Sequence, residues 1–164
     1  MAVTRTANAP SATHEISKLR RAQVQAHSGD YLGAVAELVS AYRKPGASAG
    51  SKKSIAERVA RYLVRHAKEA SKTGDNREAS QRYFAAARLC MALDSSVQGS
   101  GLENQIRNML TRASDHAYEH YLKTGKDYSN YRQIEDAAAS MRSELERRKE
   151  SARRSRAIAA SRRG

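Results

Sequence analysis

The sequence is poor in the residues that build a large aromatic core or a disulfide framework. Its 164 residues include no tryptophan, one phenylalanine, two prolines and one cysteine, Cys90. A single cysteine excludes a disulfide within the chain, so the class of small disulfide-braced scaffolds is excluded and a reducing compartment is expected. Cys90 stands in an apolar stretch without a neighbouring base, which predicts a buried and unreactive thiol.

Long apolar runs are also missing. Nowhere do about 18 apolar residues follow one another, as a membrane-spanning helix requires. The opening of the chain lacks the apolar stretch of a signal peptide. We therefore expect a soluble protein that works in the cytoplasm or within a virion and is not secreted through a signal peptide.

Acidic residues are scarce relative to basic ones. Thirty Lys and Arg residues against 17 Asp and Glu residues give a formal net charge of +13. Residues 151–164 contain five arginines and no acid, and removing those five charges still leaves +8 on the rest of the chain. A charge of this size predicts attraction to a polyanion, which includes nucleic acid, an anionic membrane surface and an acidic protein.

Alanine and other apolar residues at helical spacing are abundant. Because apolar side chains recur every three or four residues and alanine is the strongest helix former, we predict an all-α protein. The predicted helices cover about residues 14–28, 30–43, 53–72, 75–93, 102–124 and 128–147.

Three less regular segments flank or interrupt these helices. Residues 1–13 are predicted to form a flexible, disordered lead, with Thr13 capping the first helix, and residues 45–54 a flexible loop. The helical domain then spans residues 14–148, and a basic tail spans residues 149–164.

Three glycines divide the six helices into three pairs. Gly29, Gly74 and Gly125 each stand between two helices, 45 and 51 residues apart. Short connections make each pair antiparallel, and one pair cannot bury its apolar faces alone. We therefore predict three stacked helical hairpins, and the alternative is an irregular helical bundle with the same glycine stops.

Two of these turns share a longer pattern, in residues 28–45 and 73–90. After a Gly-Asp pair come an alanine, a large side chain and a second alanine: Ala34, Leu38 and Ala41 in the first, and Ala79, Tyr83 and Ala86 in the second. The pattern resembles the second half of a tetratricopeptide repeat, which implies stacked hairpins and a groove that captures a peptide or helix. The resemblance is partial, because about ten residues separate the hairpins and Asn130 replaces the first alanine in the third hairpin.

The third predicted helix carries a stripe of basic side chains. Five of them fall within an arc of about 80° on the side away from the apolar face: Arg58, Arg61, Arg65, Lys68 and Lys72. Cations aligned along a rod match the phosphates of a nucleic-acid backbone and gain affinity by releasing counterions, without reading sequence. The alternative is a solvated helix face with no partner.

Two further basic segments are candidate nucleic-acid contacts. The predicted loop contributes Lys52 and Lys53, and the tail contributes Arg153, Arg154, Arg156, Arg162 and Arg163. The tail is too poor in apolar residues to support a core, so we expect it to be disordered or a continuation of the sixth helix. Arginine-rich tails commonly fold on RNA or lie along DNA, and they also serve as sorting signals or contacts to acidic proteins.

Four tyrosines near the third glycine are candidate partner contacts. Tyr118, Tyr121, Tyr128 and Tyr131 are interleaved with basic residues, as in proteins that stack nucleic-acid bases on aromatic rings. Tyrosines at this spacing also commonly fill a seam between two helices.

Motifs for catalysis and metal binding are not found in the sequence. His116 and His120 have a helical ligand spacing, but two ligands are too few for a metal site. There is no Gly-rich phosphate loop, no Gly-x-Ser-x-Gly and no cysteine paired with a positioned histidine. We expect a protein that is not an enzyme and needs no metal or cofactor.

These features together predict a non-enzymatic, basic helical protein that binds RNA or DNA through distributed charge and contacts protein neighbours, as a nucleoprotein or virion-type component would. One alternative is an adaptor that captures an acidic peptide or helix in a tetratricopeptide-like groove. The other alternative is a structural subunit of a large complex.

Overall fold

The structure is a computed structural model that describes residues 10–94 and 102–162 of the chain. Within those residues it is all-α, as predicted, and contains no strand. The helices are α1 (Pro10–His27), α2 (Tyr31–Tyr42), α3 (Ala49–Lys72), α4 (Asn76–Asp94), α5 (Glu103–Thr124) and α6 (Tyr128–Ser161). Each helix packs against the next one in the chain.

The core is assembled largely from small side chains, as the composition predicts. Fully buried alanines lie on several helices, and larger buried side chains such as Leu38, Ile55 and Tyr83 fill the space between them. Because alanine lets two helix axes approach closely, one cluster of buried residues continues from α1 to α6. Cys90 is part of this cluster, so the prediction of a buried thiol is confirmed.

The first and second glycine turns have the same local structure. Gly29 and Gly74 take positive φ angles of 86° and 76°, which residues other than glycine rarely adopt. In the next position the carboxylates of Asp30 and Asp75 each accept a hydrogen bond from the backbone N–H three residues further on, both at 2.9 Å. Backbone hydrogen bonds of the first turn recur at the second, shifted by 45 residues. The repeated Gly-Asp pattern therefore corresponds to a repeated turn, while membership of the tetratricopeptide family and the stacking of hairpins stay predictions.

The third turn is built differently. Gly125 also has a positive φ angle, 63°, but so does Asp127, at 64°. The Asp127 side chain does not cap α6. It lies 3.2 Å from Nε2 of His120 on α5 and 3.9 Å from a guanidinium nitrogen of Arg77 on α4. This turn thus connects three helices through one carboxylate.

Two helices begin earlier than the sequence predicts. α1 begins at Pro10, so the prediction that Thr13 caps it is wrong; the fixed φ of proline suits the first helical position. α3 begins at Ala49, so the predicted loop over 45–54 is wrong from that residue onward. The Ser48 hydroxyl accepts a hydrogen bond from the backbone N–H three residues later and caps α3 at this point. The nine residues before α1 lie outside the described part of the chain.

α6 extends well beyond the packed core. Its 34 residues span about 51 Å, and Leu145 is its last buried residue. Of the two predictions for the basic tail, the helical continuation is correct as far as Ser161. Alanine and arginine are good helix formers, and a helix that is already nucleated by packing extends at little cost.

An ion-pair network holds α6 against the start of α5. Arg107 contacts Glu103 at 3.1 Å and Glu146 at 2.5 Å, and Lys149 contacts Glu103 at 3.3 Å. Burial acts to raise the pKa of Glu103, but the hydrogen bonds from Arg107 and Lys149 outweigh it and hold the pKa below its usual value. A hydrogen bond from an arginine one turn later is the main reason that the pKa of Glu144 is also lowered.

Candidate nucleic-acid interface

The basic stripe predicted on the third helix lies on α3. Arg58 is half-buried and the other four cations are exposed. At about 1.5 Å of rise per residue, the stripe from Arg58 to Lys72 is about 21 Å long. Within residues 10–94 and 102–162, none of its five cations forms an ion pair. Their charges are therefore not neutralised by the carboxylates that the structure describes.

The stripe faces outward because the opposite side of α3 is buried in the core. Ile55 and Val59 are among the residues that anchor this buried side. Glu57 and Glu69 lie at the two margins of the stripe, about 20° beyond its edges. Burial and a neighbouring arginine on α4 lower the pKa of the half-buried His66, so this side chain stays neutral at pH 7 and adds no charge.

The two lysines predicted in the loop belong to the start of α3 instead. Lys52 lies on the side of α3 opposite to the stripe, and its Nζ atom is 5.7 Å from the centroid of the Tyr42 ring. Lys53 is exposed and lies about 60° from the edge of the stripe. The structure therefore does not bring Lys52 into the basic stripe.

The arginines of the tail surround the end of α6 rather than forming a second stripe. Successive residues of a helix advance by about 100°, so the exposed arginines point to all sides of the rod: Arg153, Arg154, Arg156 and Arg162. Arg154 forms an ion pair with Glu150 one turn earlier. Arg163, also a candidate contact, lies outside the described residues.

The four candidate tyrosines form one cluster, which we call the tyrosine ring. Tyr118 and Tyr121 on α5 face Tyr128 and Tyr131 on α6, and the four side chains make a closed cycle of contacts with ring centroids 5.1 to 6.5 Å apart. Tyr118 is 45% exposed and Tyr128 is 53% exposed, while the adjacent Leu122 is 62% exposed. The structure thus brings these residues together and leaves part of the ring open to solvent.

The tyrosine ring makes few polar contacts with the residues that the structure describes. Among those residues its hydroxyl groups have no hydrogen-bond partner. Desolvation is the main cause that raises the pKa of Tyr131, and Glu135 adds to it, so the phenol stays protonated. Arg132 lies beside Tyr131, whereas Lys123 lies on the side of α5 opposite to Tyr118 and Tyr121. Lys123, Lys126 and Arg132 form no ion pair with any residue that the structure describes.

His116 and His120, one turn apart on α5, have separate roles. His116 joins three helices: Nε2 lies 2.9 Å from the Ser71 hydroxyl of α3, and Nδ1 lies 3.1 Å from Oδ1 of Asn76 on α4. The Tyr83 ring stacks on the imidazole at 5.7 Å between centroids. His120 instead contacts the carboxylate at the third turn. In the described ranges, no group of three or more possible ligands is placed to hold a metal ion.

Sequence analysis did not identify a basic groove between α1 and α2. Lys18, Arg43 and Lys44 line it together with Ser40, and its volume is about 560 Å³. The Lys18 ammonium donates a hydrogen bond to the Ser40 hydroxyl. Lys18 belongs to α1, whereas Arg43 and Lys44 directly follow α2, so no local spacing indicates that they share a surface.

Comparison of the chain with models of protein families, with curated proteins and with solved structures finds no match. None of the helices in the described ranges is both long enough and apolar enough to cross a membrane.

Proposed function

We propose that the protein is a non-enzymatic, nucleic-acid-binding component of a nucleoprotein assembly, in the cytoplasm or within a virion. The basic stripe of α3 carries the proposal. Five aligned cations without ion pairs in the described part of the chain are what an extended polyanion needs on a binding surface. The formal charge of +13 supports attraction of RNA or DNA from a distance.

The stripe binds the phosphate backbone and does not read the bases. Cations on α3 lie about 4.5 to 6 Å apart along the helix axis, wider than the roughly 3.4 Å axial spacing of phosphates on one strand, and the long side chains span the difference. Arginine and lysine side chains at this spacing displace condensed counterions from the backbone, and the entropy of that release favours binding. Contacts of this kind position a nucleic acid without selecting a sequence.

The end of α6 is a second, less directional contact. Because its arginines point to all sides, this segment suits a polyanion that surrounds or crosses the helix rather than one that runs along a single face. It also leaves the packed core, so it can reach a neighbouring nucleic acid without rearrangement of the other helices.

The test is binding of labelled random-sequence RNA and DNA at several salt concentrations. Five phosphate contacts alone predict that the affinity for duplex DNA falls about 500-fold between about 50 and 200 mM salt. The absorbance ratio at 260 and 280 nm of protein isolated without a high-salt wash gives an independent check. An affinity that does not depend on salt, or no binding at the lowest salt, would contradict the proposal.

The equivalent turns at Gly29 and Gly74 support the adaptor as a second candidate function, since repeated hairpins commonly bind peptides. Its partner would be an acidic peptide or helix, selected by the same positive charge. If this protein retains an acidic partner protein but has no affinity for RNA or DNA, the adaptor function is favoured over nucleic-acid binding.

The atoms around His116 allow a test of the non-enzymatic part of the proposal. The Ser71 hydroxyl is hydrogen-bonded to one imidazole nitrogen, and the Asn76 side chain orients the ring through the other. Activated serine nucleophiles have the same arrangement of hydroxyl, base and orienting group. In this protein the three groups join three helices, and we interpret them as a structural tie. Stoichiometric labelling of Ser71 by a fluorophosphonate probe would overturn that interpretation, whereas an unlabelled Ser71 supports it.

A further inference from the structure

We propose that the tyrosine ring is a base-stacking platform, so that the protein binds single-stranded nucleic acid more tightly than a duplex of the same strand length. This inference rests on the proposed nucleic-acid binding and specifies its substrate. The stripe of α3 supplies phosphate contacts to any nucleic acid, while the tyrosine ring recognises only bases that are not already stacked in a helix.

Two tyrosines of the cluster expose their side chains to solvent. Tyr118 and Tyr128 occupy opposite corners of the cycle of four, and both are about half exposed. Tyr121 and Tyr131 are more buried and support them from either side. A tyrosine that served only to fill the seam between α5 and α6 would bury its ring, whereas these two corner rings present aromatic surface to solvent.

The tyrosine ring and the basic stripe are connected through α5. Ser71, which adjoins Lys72 at the end of the stripe, contacts His116 on α5 at 2.9 Å. Tyr118 follows His116 by two residues, so the two side chains are close along the axis of α5 but point about 160° apart around it. The tyrosine ring and the end of the stripe thus share one end of the molecule but lie on different sides of α5. A strand that follows α3 to Lys72 must therefore pass around this end of α5 to reach the tyrosine ring.

Charged side chains of both signs lie around the tyrosine ring. Arg132 supplies positive charge beside Tyr131, and the nearby Asp127 is already engaged by two cationic or basic partners. Glu135 remains beside Tyr131, so local charge is nearly balanced. The preference for single strands must then come from stacking, which does not depend on counterion release and is therefore insensitive to salt.

The test compares three ligands of equal strand length: a thymidine oligonucleotide, an abasic oligonucleotide with the same phosphates, and a duplex. We expect the paired change Tyr118→Ser and Tyr128→Ser to weaken thymidine binding about 5-fold or more at every salt concentration. Binding of the abasic strand and of the duplex should stay unchanged. The matched control is Tyr118→Phe with Tyr128→Phe, which keeps the rings and should restore binding of the thymidine strand.

A second measurement uses the absence of tryptophan, because the fluorescence of the chain then comes from its eight tyrosines. Stacking of bases on the ring should quench part of this emission with the thymidine strand and not with the abasic strand. This readout works on the unaltered protein and does not require that the serine variant folds.

The outcomes are distinguishable. Equal loss of affinity for thymidine and abasic strands, or no loss at all, would overturn the platform and leave the electrostatic function intact. Loss of self-association or of a co-purifying protein, with unchanged nucleic-acid binding, would identify the ring as a protein interface and also overturn it. Failure of the wild-type chain to bind any of the three ligands would remove the proposed function itself.

Discussion

Replacing Arg58, Arg61 and Arg65 together by glutamine should flatten the salt dependence of duplex binding. Each lost phosphate contact lowers the slope of log affinity against log salt by about 0.9, so three lower it by about 2.7. The ratio of wild-type to variant affinity should therefore shrink about 40-fold when salt rises from about 50 to 200 mM. Fluorescence anisotropy of a labelled random-sequence duplex, measured at four or five salt concentrations, gives both slopes.

A matched control separates the stripe from the net charge. Arg20, Arg43 and Arg88 are exposed, form no ion pair within the described residues and lie outside α3. Their replacement by glutamine removes the same number of charges but leaves the stripe intact. The slope of log affinity against log salt should then change by less than about 0.9, the value for one phosphate contact. If both triple variants flatten the slope equally, only the total charge matters and the argument from alignment on α3 is refuted.

Three further predictions concern the stability of the fold. Gly74→Ala places a side chain at a positive φ angle of 76° and should lower the free energy of unfolding by about 1–2 kcal/mol. Gly50→Ala, in open space near the start of α3, should leave that free energy unchanged or raise it by up to about 1 kcal/mol. Urea unfolding followed by circular dichroism checks both variants, and equal midpoints would contradict the turn assignment. His116→Leu removes two hydrogen bonds between helices and should cost about 2–4 kcal/mol in the same assay, so a cost under about 0.5 kcal/mol would show that the network is not a structural tie. Because folding lowers the pKa values of Glu103 and Glu144, these two carboxylates contribute stability that is present above the usual carboxyl pKa of 4.5 and is lost as pH falls through the lower folded values. Replacing both by glutamine should therefore reduce the dependence of the melting temperature on pH below that value.

The two equivalent turns show how a local pattern becomes a structural unit. Glycine supplies the left-handed backbone, and the aspartate that follows caps the next helix, so all the atoms involved lie within a few residues of one another. The third turn lacks the Gly-Asp pair and uses Asp127 differently, because its carboxylate meets Arg77 about fifty residues earlier in the chain. The sequence pattern alone does not indicate that contact.

The sequence by itself determined the helices, the glycine turns and the alignment of cations on α3, because each depends on interactions or periodicities within a few residues. It did not determine where α3 begins: the composition before Ser54 indicated a loop, whereas the cap at Ser48 starts a helix.

Only the tertiary structure decided which surfaces meet. Periodicity indicates that a helix face is apolar or basic, but the partner of that face depends on how distant helices pack. Packing of α6 on α5 closed the tyrosines into a ring, and packing of α3, α4 and α5 placed His116 between Ser71 and Asn76, 45 and 40 residues away. Packing also brought Lys52 to Tyr42, whereas helical periodicity alone places this lysine opposite to the stripe once α3 begins at Ala49. These features depend on contacts between residues that are far apart in the chain, and no local residue pattern in a single sequence indicates such contacts.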